Sequence, residues 1–561
     1  MQSSSWCIRA LMIGAILCAG PAASATGPHD HAGDIVHFET SCNAAVQPDF
    51  DRALVLLHHM TYPQARAAFR AVADRDPDCA IAQWGIAMTL FTPLWPTRPS
   101  AADLHLGWDI VSKAKTLGHP SAREQAFLAA TAEFFRDPDS GDYWQRIQRW
   151  ETASASVHEA FPQDSEATAF YALALLASSR PGPSMAEHSQ KAVALLLPLL
   201  EQNPRHPGAM HYVIHANDIP GREHENLDLV RRYEEIAPDN PHALHMPTHI
   251  YVRLGDWDGV IRGNLRAATA ALKYPAGEHG EFVWDEFPHA IEYLVYAYLQ
   301  QGEDDKADAE IKRLLATPKI EPTAKTAFHL ASTRARYALE RQDWKRAAKL
   351  VAREPAALDW DRYPWPEAVT WFARGYGSAR IGALDESRRA SARLGELDAR
   401  ASGAGEDVFA RQIRILKLEL DAWTAHAARA DDGAIALMQQ AVDLEGSTPK
   451  PPVTPAPTLP ASEILGDLMI ELGRPQEAAS AYRQALQRFP KRFNGQLGAA
   501  RASAATGDVG GALDEYCALM RNAPNSSRPA LREARAFVEG HRGSAQGQGD
   551  APCAGAVVAS D

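Results

Sequence analysis

The chain has 561 residues, 46% of them hydrophobic, and a formal net charge of −13 at pH 7. That length allows several domains or one long repeat array. An acidic chain without runs of Lys and Arg lacks the clustered cations that phosphate contacts need, which excludes nucleic acid as a partner.

The first residues read as an export signal. Arg9 gives a positive start, and Ala10 to Gly20 is an apolar run too short to span a bilayer. Ala23-Ser24-Ala25 fits a small-residue cleavage site, so residues 1–25 are expected to be removed. Cys18 opens a lipoprotein alternative, but the bulky Leu17 before it speaks against lipidation. A periplasmic or secreted location is the expectation, and no later stretch reads as a transmembrane segment. Cys42, Cys79, Cys517 and Cys553 remain after cleavage, and an exported chain can oxidise them. Of the three possible pairings, Cys42 with Cys79 and Cys517 with Cys553 are favoured, because each pair falls within neighbouring elements.

Downstream, leucine- and alanine-rich amphipathic runs predominate, and no strand pattern is convincing. His58 and His59 are adjacent and cannot share a helical face, so they read as one groove residue and one incidental one. Ala65, Phe69 and Pro77 mark an early helical hairpin, and Ala192 and Pro204 mark another. Trp84, Trp95 and Trp108 are expected to pack between helices rather than line a ligand box.

Seven of the 21 histidines fall between His206 and His249. His211 and His215 form one HxxxH pair, and His245 and His249 form a second, 34 residues later at both positions. One helical turn brings both imidazoles of a pair to the same side, which is why zinc-type sites use this spacing. Neutral imidazole suits zinc, copper or nickel, and Zn²⁺ or Cu²⁺ is the expected ion. Asp218 is a candidate to orient a histidine from behind. Gly221 and Pro238 end the two halves of a hairpin, and Gly255 follows Gly221 by one period. Pro247 lies inside the run that carries His245 and His249, where an interior proline costs about 3 kcal/mol. Either this marks a functional site or the helix simply starts late. His224-Glu225 lacks the second histidine of an HExxH protease, and the chain has no GxSxG, P-loop or dinucleotide fingerprint.

Residues 275–287 read as an insertion between repeats. Beyond it, Gly302 sets a register with Pro288 at its first position. His289, Glu292 and Tyr296 then occupy the slots held by His242, His245 and His249 in the repeat that starts at Pro241, and by Gly208, His211 and His215 in the one that starts at Pro207. Thr448 to Pro460 is proline-rich and reads as a stiff linker or an ordered extended loop. It separates a long array, residues 26–447, from a C-terminal pair of repeats, residues 461–540. The tail, residues 541–561, is rich in Gly, Ser and Ala and is expected to be mobile unless Cys553 ties it down.

That C-terminal pair is the most regular. Counted from Leu459, residues Gly466, Gly473, Ala478, Tyr482, Ala485 and Pro490 fall at positions 8, 15, 20, 24, 27 and 32. Counted from Phe493, Ala500, Gly507, Ala512, Tyr516, Leu519 and Pro524 fall at the matching positions. This pattern resembles the tetratricopeptide repeat family. The resemblance implies an all-α, right-handed solenoid of antiparallel helix hairpins, with irregular repeats in its centre. It also implies that positions 2, 5 and 9 of each first helix line a concave groove. First helices of successive repeats would then lie roughly 10 Å apart, so the two HxxxH pairs could converge on one ion. A protein or peptide segment in that groove is the usual partner the resemblance implies.

A narrower likeness rests on HPGAMHYVIHAND (206–218), PHALHMPTHIYVRLGDW (241–257), CAIAQWGIAM (79–88) and PKRFNGQLGAARA (490–502). These runs are similar to a group of exported bacterial tetratricopeptide proteins with no assigned activity. Glu292 stands where that group's pattern would place an aspartate. The leading expectation is therefore an exported binding protein whose histidine-lined groove holds a divalent transition metal, with His211, His215, His245 and His249 as ligands. A metal-free interaction scaffold is the alternative. A metal-dependent enzyme ranks last, since the sequence supplies no substrate-pocket signature.

Overall fold

In a computed structural model, the described residues are 36–541 apart from 96, 97, 141, 181, 182, 278 and 452, together with Cys553. The signal-like segment and nearly all of the tail lie outside them. The described chain is almost wholly helical, from Gln47–His58 to Pro529–Gly540, and consecutive helices pack on one another along the sequence. No helix among the described residues is long and apolar enough to cross a membrane.

The local causes are legible. Asp142, Asp164, Asp256, Asp343 and Asp508 each accept a backbone N–H at a helix start, and Ser100 and Ser121 form full capping boxes with Asp103 and Glu124. Gly255, Gly302, Gly473 and Gly507 share one repeat position, and all four turn the chain with φ between +63° and +80°. Small residues set the approach of the helices. A Cβ at Gly466 would come within 2.8 Å of the Tyr482 ring and one at Gly498 within 2.3 Å, so a single tyrosine fills the space between three helices.

At the N-terminal end, Phe38, Phe127 and Phe170 pack around Trp84 at centroid distances of 5.2–5.9 Å. The Cys42–Cys79 disulfide closes this end with a Cα–Cα distance of 4.9 Å, and Cys517–Cys553 closes the other with 5.2 Å. The insertion at 275–287 contains the only strands among the described residues. Pro275–Ala276 pairs antiparallel with Phe282–Val283.

The proline-rich segment 448–460 is not a free spacer. Most of its described residues are buried, and Arg336 donates to the carbonyls of Ala456 and Pro457 and to Thr454 Oγ1. The C-terminal repeats also fold back on the centre. Arg492 Nη1 donates to Tyr296 Oη at 3.0 Å, Trp257 Nε1 donates to Lys491 O at 3.1 Å, and Arg528 pairs with Asp304.

Candidate metal centre

Four helical segments carry the central histidines. Helix Pro207–Asn217 supplies His211 and His215. Pro241–His245 and Pro247–Leu254 supply His242, His245 and His249, with the chain breaking at Met246. The break is a local consequence of Pro247, which has no N–H to give the preceding turn. Helix Glu286–Gln300 supplies His289. Every one of these imidazoles is buried except His215, which is partly exposed.

The four histidines predicted as ligands do not form one set. Each HxxxH pair instead gathers the position-2 histidine of the following repeat. One group is His211, His215 and His242, and the other is His245, His249 and His289. Within each group, one ring nitrogen per residue lies within 4.8 Å of the others. His215 and His249 rings are 6.3 Å apart across the groups, as are His242 and His245. The corresponding slot in the first repeat is Gly208. A Cβ there would come within 2.2 Å of His58 Nδ1, so the series of position-2 histidines can begin only one repeat later.

What stands behind the rings decides their chemistry. His211 Nδ1 lies 2.7 Å from the His58 carbonyl, which can only accept, so this nitrogen carries the proton. His249 Nδ1 donates likewise to Asp218 Oδ2 at 2.9 Å. His245 Nδ1 donates to Asn264 Oδ1 at 2.7 Å, and the Asn264 amide is oriented by its Nδ2 donating to Val260 O. His289 Nδ1 donates to His329 Nε2 at 3.0 Å, because His329 Nδ1 is committed to Glu292 Oε2 at 2.5 Å. His242 Nδ1 lies 3.2 Å from Glu286 Oε2. The rings of His211, His245, His249 and His289, anchored at Nδ1, each present a bare lone pair at Nε2.

Those lone pairs face one another. His245 Nε2 and His249 Nε2 are 2.9 Å apart with both Nδ1 atoms committed to acceptors. The Nε2 atoms of His211, His215 and His242 are buried without a hydrogen-bond partner. Such convergent orphans are costly in a folded interior unless something electrophilic joins them. Burial, reinforced by neighbouring imidazoles, holds His211, His245 and His289 well below the ordinary histidine range and His215 down to about 3. These four rings are therefore neutral near pH 7, the state in which imidazole binds metal. Burial alone would raise Glu286, but Lys325 and His242 hold it well below the carboxylate range. For Asp218, Lys450 and Arg253 likewise outweigh burial.

Several residues missed from the sequence complete the setting. His329, Asn264 and the His58 carbonyl orient rings, and Tyr293 packs 4.6–5.5 Å from His245, His289 and His249 with its buried hydroxyl unpartnered. Tyr293 lies one helical turn after His289 and was visible in principle. Glu292 reaches His289 only through His329. Tyr296 stands apart from the histidines and braces the C-terminal repeats through Arg492. His58 and His59 are both buried: His58 joins Glu166, His206 and Tyr212, and His59 bonds Tyr233. Trp84 is core as expected, whereas Trp95 lines a cavity of about 250 Å³ with Tyr143, Trp144 and Phe409. His215, Asp218 and Lys450 stand on the wall of that cavity.

The tetratricopeptide repeat model matches residues 50–92 and 465–527. The chain carries tetratricopeptide repeats. Such a scaffold points to interaction with a protein partner. No curated protein matches the sequence. Among solved structures, the chain is similar to a crystal structure of the APC/C hetero-tetramer Cut9-Hcn1, with 13% identity over 88% of this chain and 89% of that one and a TM-score of 0.30. It is also similar to a human IFIT1 dimer with PPP-AAAA, with 12% identity over 88% of this chain and 96% of that one and a TM-score of 0.38.

Proposed function

We propose that this tetratricopeptide protein is an exported binding protein whose central histidine chamber holds a divalent transition metal, Zn²⁺ or Cu²⁺. The observation that carries this reading is the facing pair His245 Nε2 and His249 Nε2, 2.9 Å apart with both Nδ1 protons committed elsewhere. Two lone pairs at that distance repel, and a cation between them turns the repulsion into coordination at about 2.0–2.1 Å. Export is supported by the N-terminal signal pattern and by two disulfides, which persist in oxidising compartments. A metal-free scaffold that holds a protein segment is the second reading.

Elemental analysis of protein purified without a histidine tag is the test. The expected result is stoichiometric metal in the wild type and none in the His211→Ala, His245→Ala double variant, with helicity retained by circular dichroism. A wild type that holds no ion after loading with Zn²⁺ or Cu²⁺ at pH 7.5 would leave the scaffold reading in its place.

A further inference from the structure

The chamber repeats itself. Its first group takes positions 5 and 9 of one repeat, His211 and His215, and position 2 of the next, His242. Its second group takes positions 5 and 9 of that next repeat, His245 and His249, and position 2 of the one after, His289. The same three-histidine arrangement is thus built twice by one translation along the array. The series stops on both sides for visible reasons: Gly208 gives its place to the His58 ring, and Glu292 and Tyr296 occupy the following pair of slots.

We propose that the chamber is a two-ion centre, with one divalent transition metal on each three-histidine group, and that the ion on His211, His215 and His242 keeps an exchangeable position towards the cavity. This rests on the reading that the chamber binds metal at all. Three arguments favour two ions over one. A tetrahedral ion closes with four ligands, and six imidazoles exceed that number, whereas three per ion leave each one open position. Each group also has its own supports. The His58 carbonyl and Glu286 stand behind the first, and Asn264, Asp218 and His329 stand behind the second. Finally, orphaned nitrogens occur in both groups, not at one focus: His211, His215 and His242 each have an unpartnered Nε2, while the second group has the facing pair His245 and His249.

The two positions differ in access. His215 is the partly exposed member and lies on the wall of the 250 Å³ cavity. The second group is wholly buried, with the Tyr293 ring packed against all three imidazoles. A small neutral or anionic ligand in that cavity would approach the first ion from the His215 side.

Native mass spectrometry of the full-length, metal-stripped protein titrated with Zn²⁺ alone tests this. The wild type should saturate at two ions. His242→Ala and His289→Ala should each retain one, and a His215→Ala variant guards against misfolding at the buried His242. A chelator should strip the ion that His289→Ala retains faster than the ion that His242→Ala retains; the reverse order overturns the assignment of access. A wild type that stops at one ion, lost in both His242→Ala and His289→Ala, overturns the two-ion centre and leaves the metal reading standing. A wild type that binds none removes the metal reading itself, and the two-ion centre with it.

Discussion

At the scale of single residues, the rings are aimed from behind. Asp218 shows this best, because it fixes the tautomer of His249 while Arg253 donates to its other oxygen. Replacing it with a neutral amide removes the charge that makes His249 a stronger donor. Asp218→Asn should therefore weaken metal binding by about ten- to a hundredfold without abolishing it. Competition against a chromophoric chelator measures this, and unchanged affinity would mean that Asp218 serves only Arg253. The equal offset of His211, His215, His245 and His249 was legible because repetition makes a residue type stand out. So was Asp218 as an orienting carboxylate. His329 and Asn264 were not legible, since they come from unrelated positions of other helices and carry no spacing signal. Nor was the division into two groups, which depends on how far position 2 of one repeat reaches towards positions 5 and 9 of the one before.

At the scale of elements, the glycine, alanine and tyrosine positions of residues 459–524 translated directly into helix, turn and close packing. The proline-rich segment did not, because its composition fits both a spacer and an ordered strap. Burial decided between them. Glu445 near the end of helix Asp431–Gly446 accepts the N–H of Ala461 at 3.2 Å, so one carboxyl ties together the two helices that flank the strap. Burial pushes that carboxyl up to about 7, against the pull of Arg488. A carboxyl raised on folding contributes stability that is complete below its unfolded value near 4.3 and is lost as pH rises through its folded value. The neutral Glu445→Gln variant should therefore gain on the wild type between pH 6 and pH 8.5. Thermal unfolding at both values checks this: a difference in Tm that stays constant would show that the carboxyl is ionised throughout.

At the scale of the whole molecule, the strap joins the chamber to the C-terminal repeats. Arg336 sits at the junction. Its guanidinium reaches Ala456, Pro457 and Thr454 of the strap, while its Nε donates to Glu292 Oε1 at 3.1 Å. Glu292 in turn holds His329, which holds His289. Lys450, at the start of the strap, lies 3.9 Å from Asp218, the partner of His249. The strap thus touches the supports of the second histidine group at two points, though it is distant from them in sequence. Removing one member of such a buried charge network costs about 3–5 kcal/mol, because the remaining carboxylate is left unpaired. Arg336→Ala should therefore release the strap first. Limited proteolysis should leave residues 448–460 uncut in the wild type, as suits backbone that is buried, and cut there early in the variant. The same variant should loosen metal binding, since Glu292 and His329 would lose their brace. Cleavage of the wild-type strap at the rate of an exposed loop would sink this account, for a segment that opens freely cannot hold the chamber together.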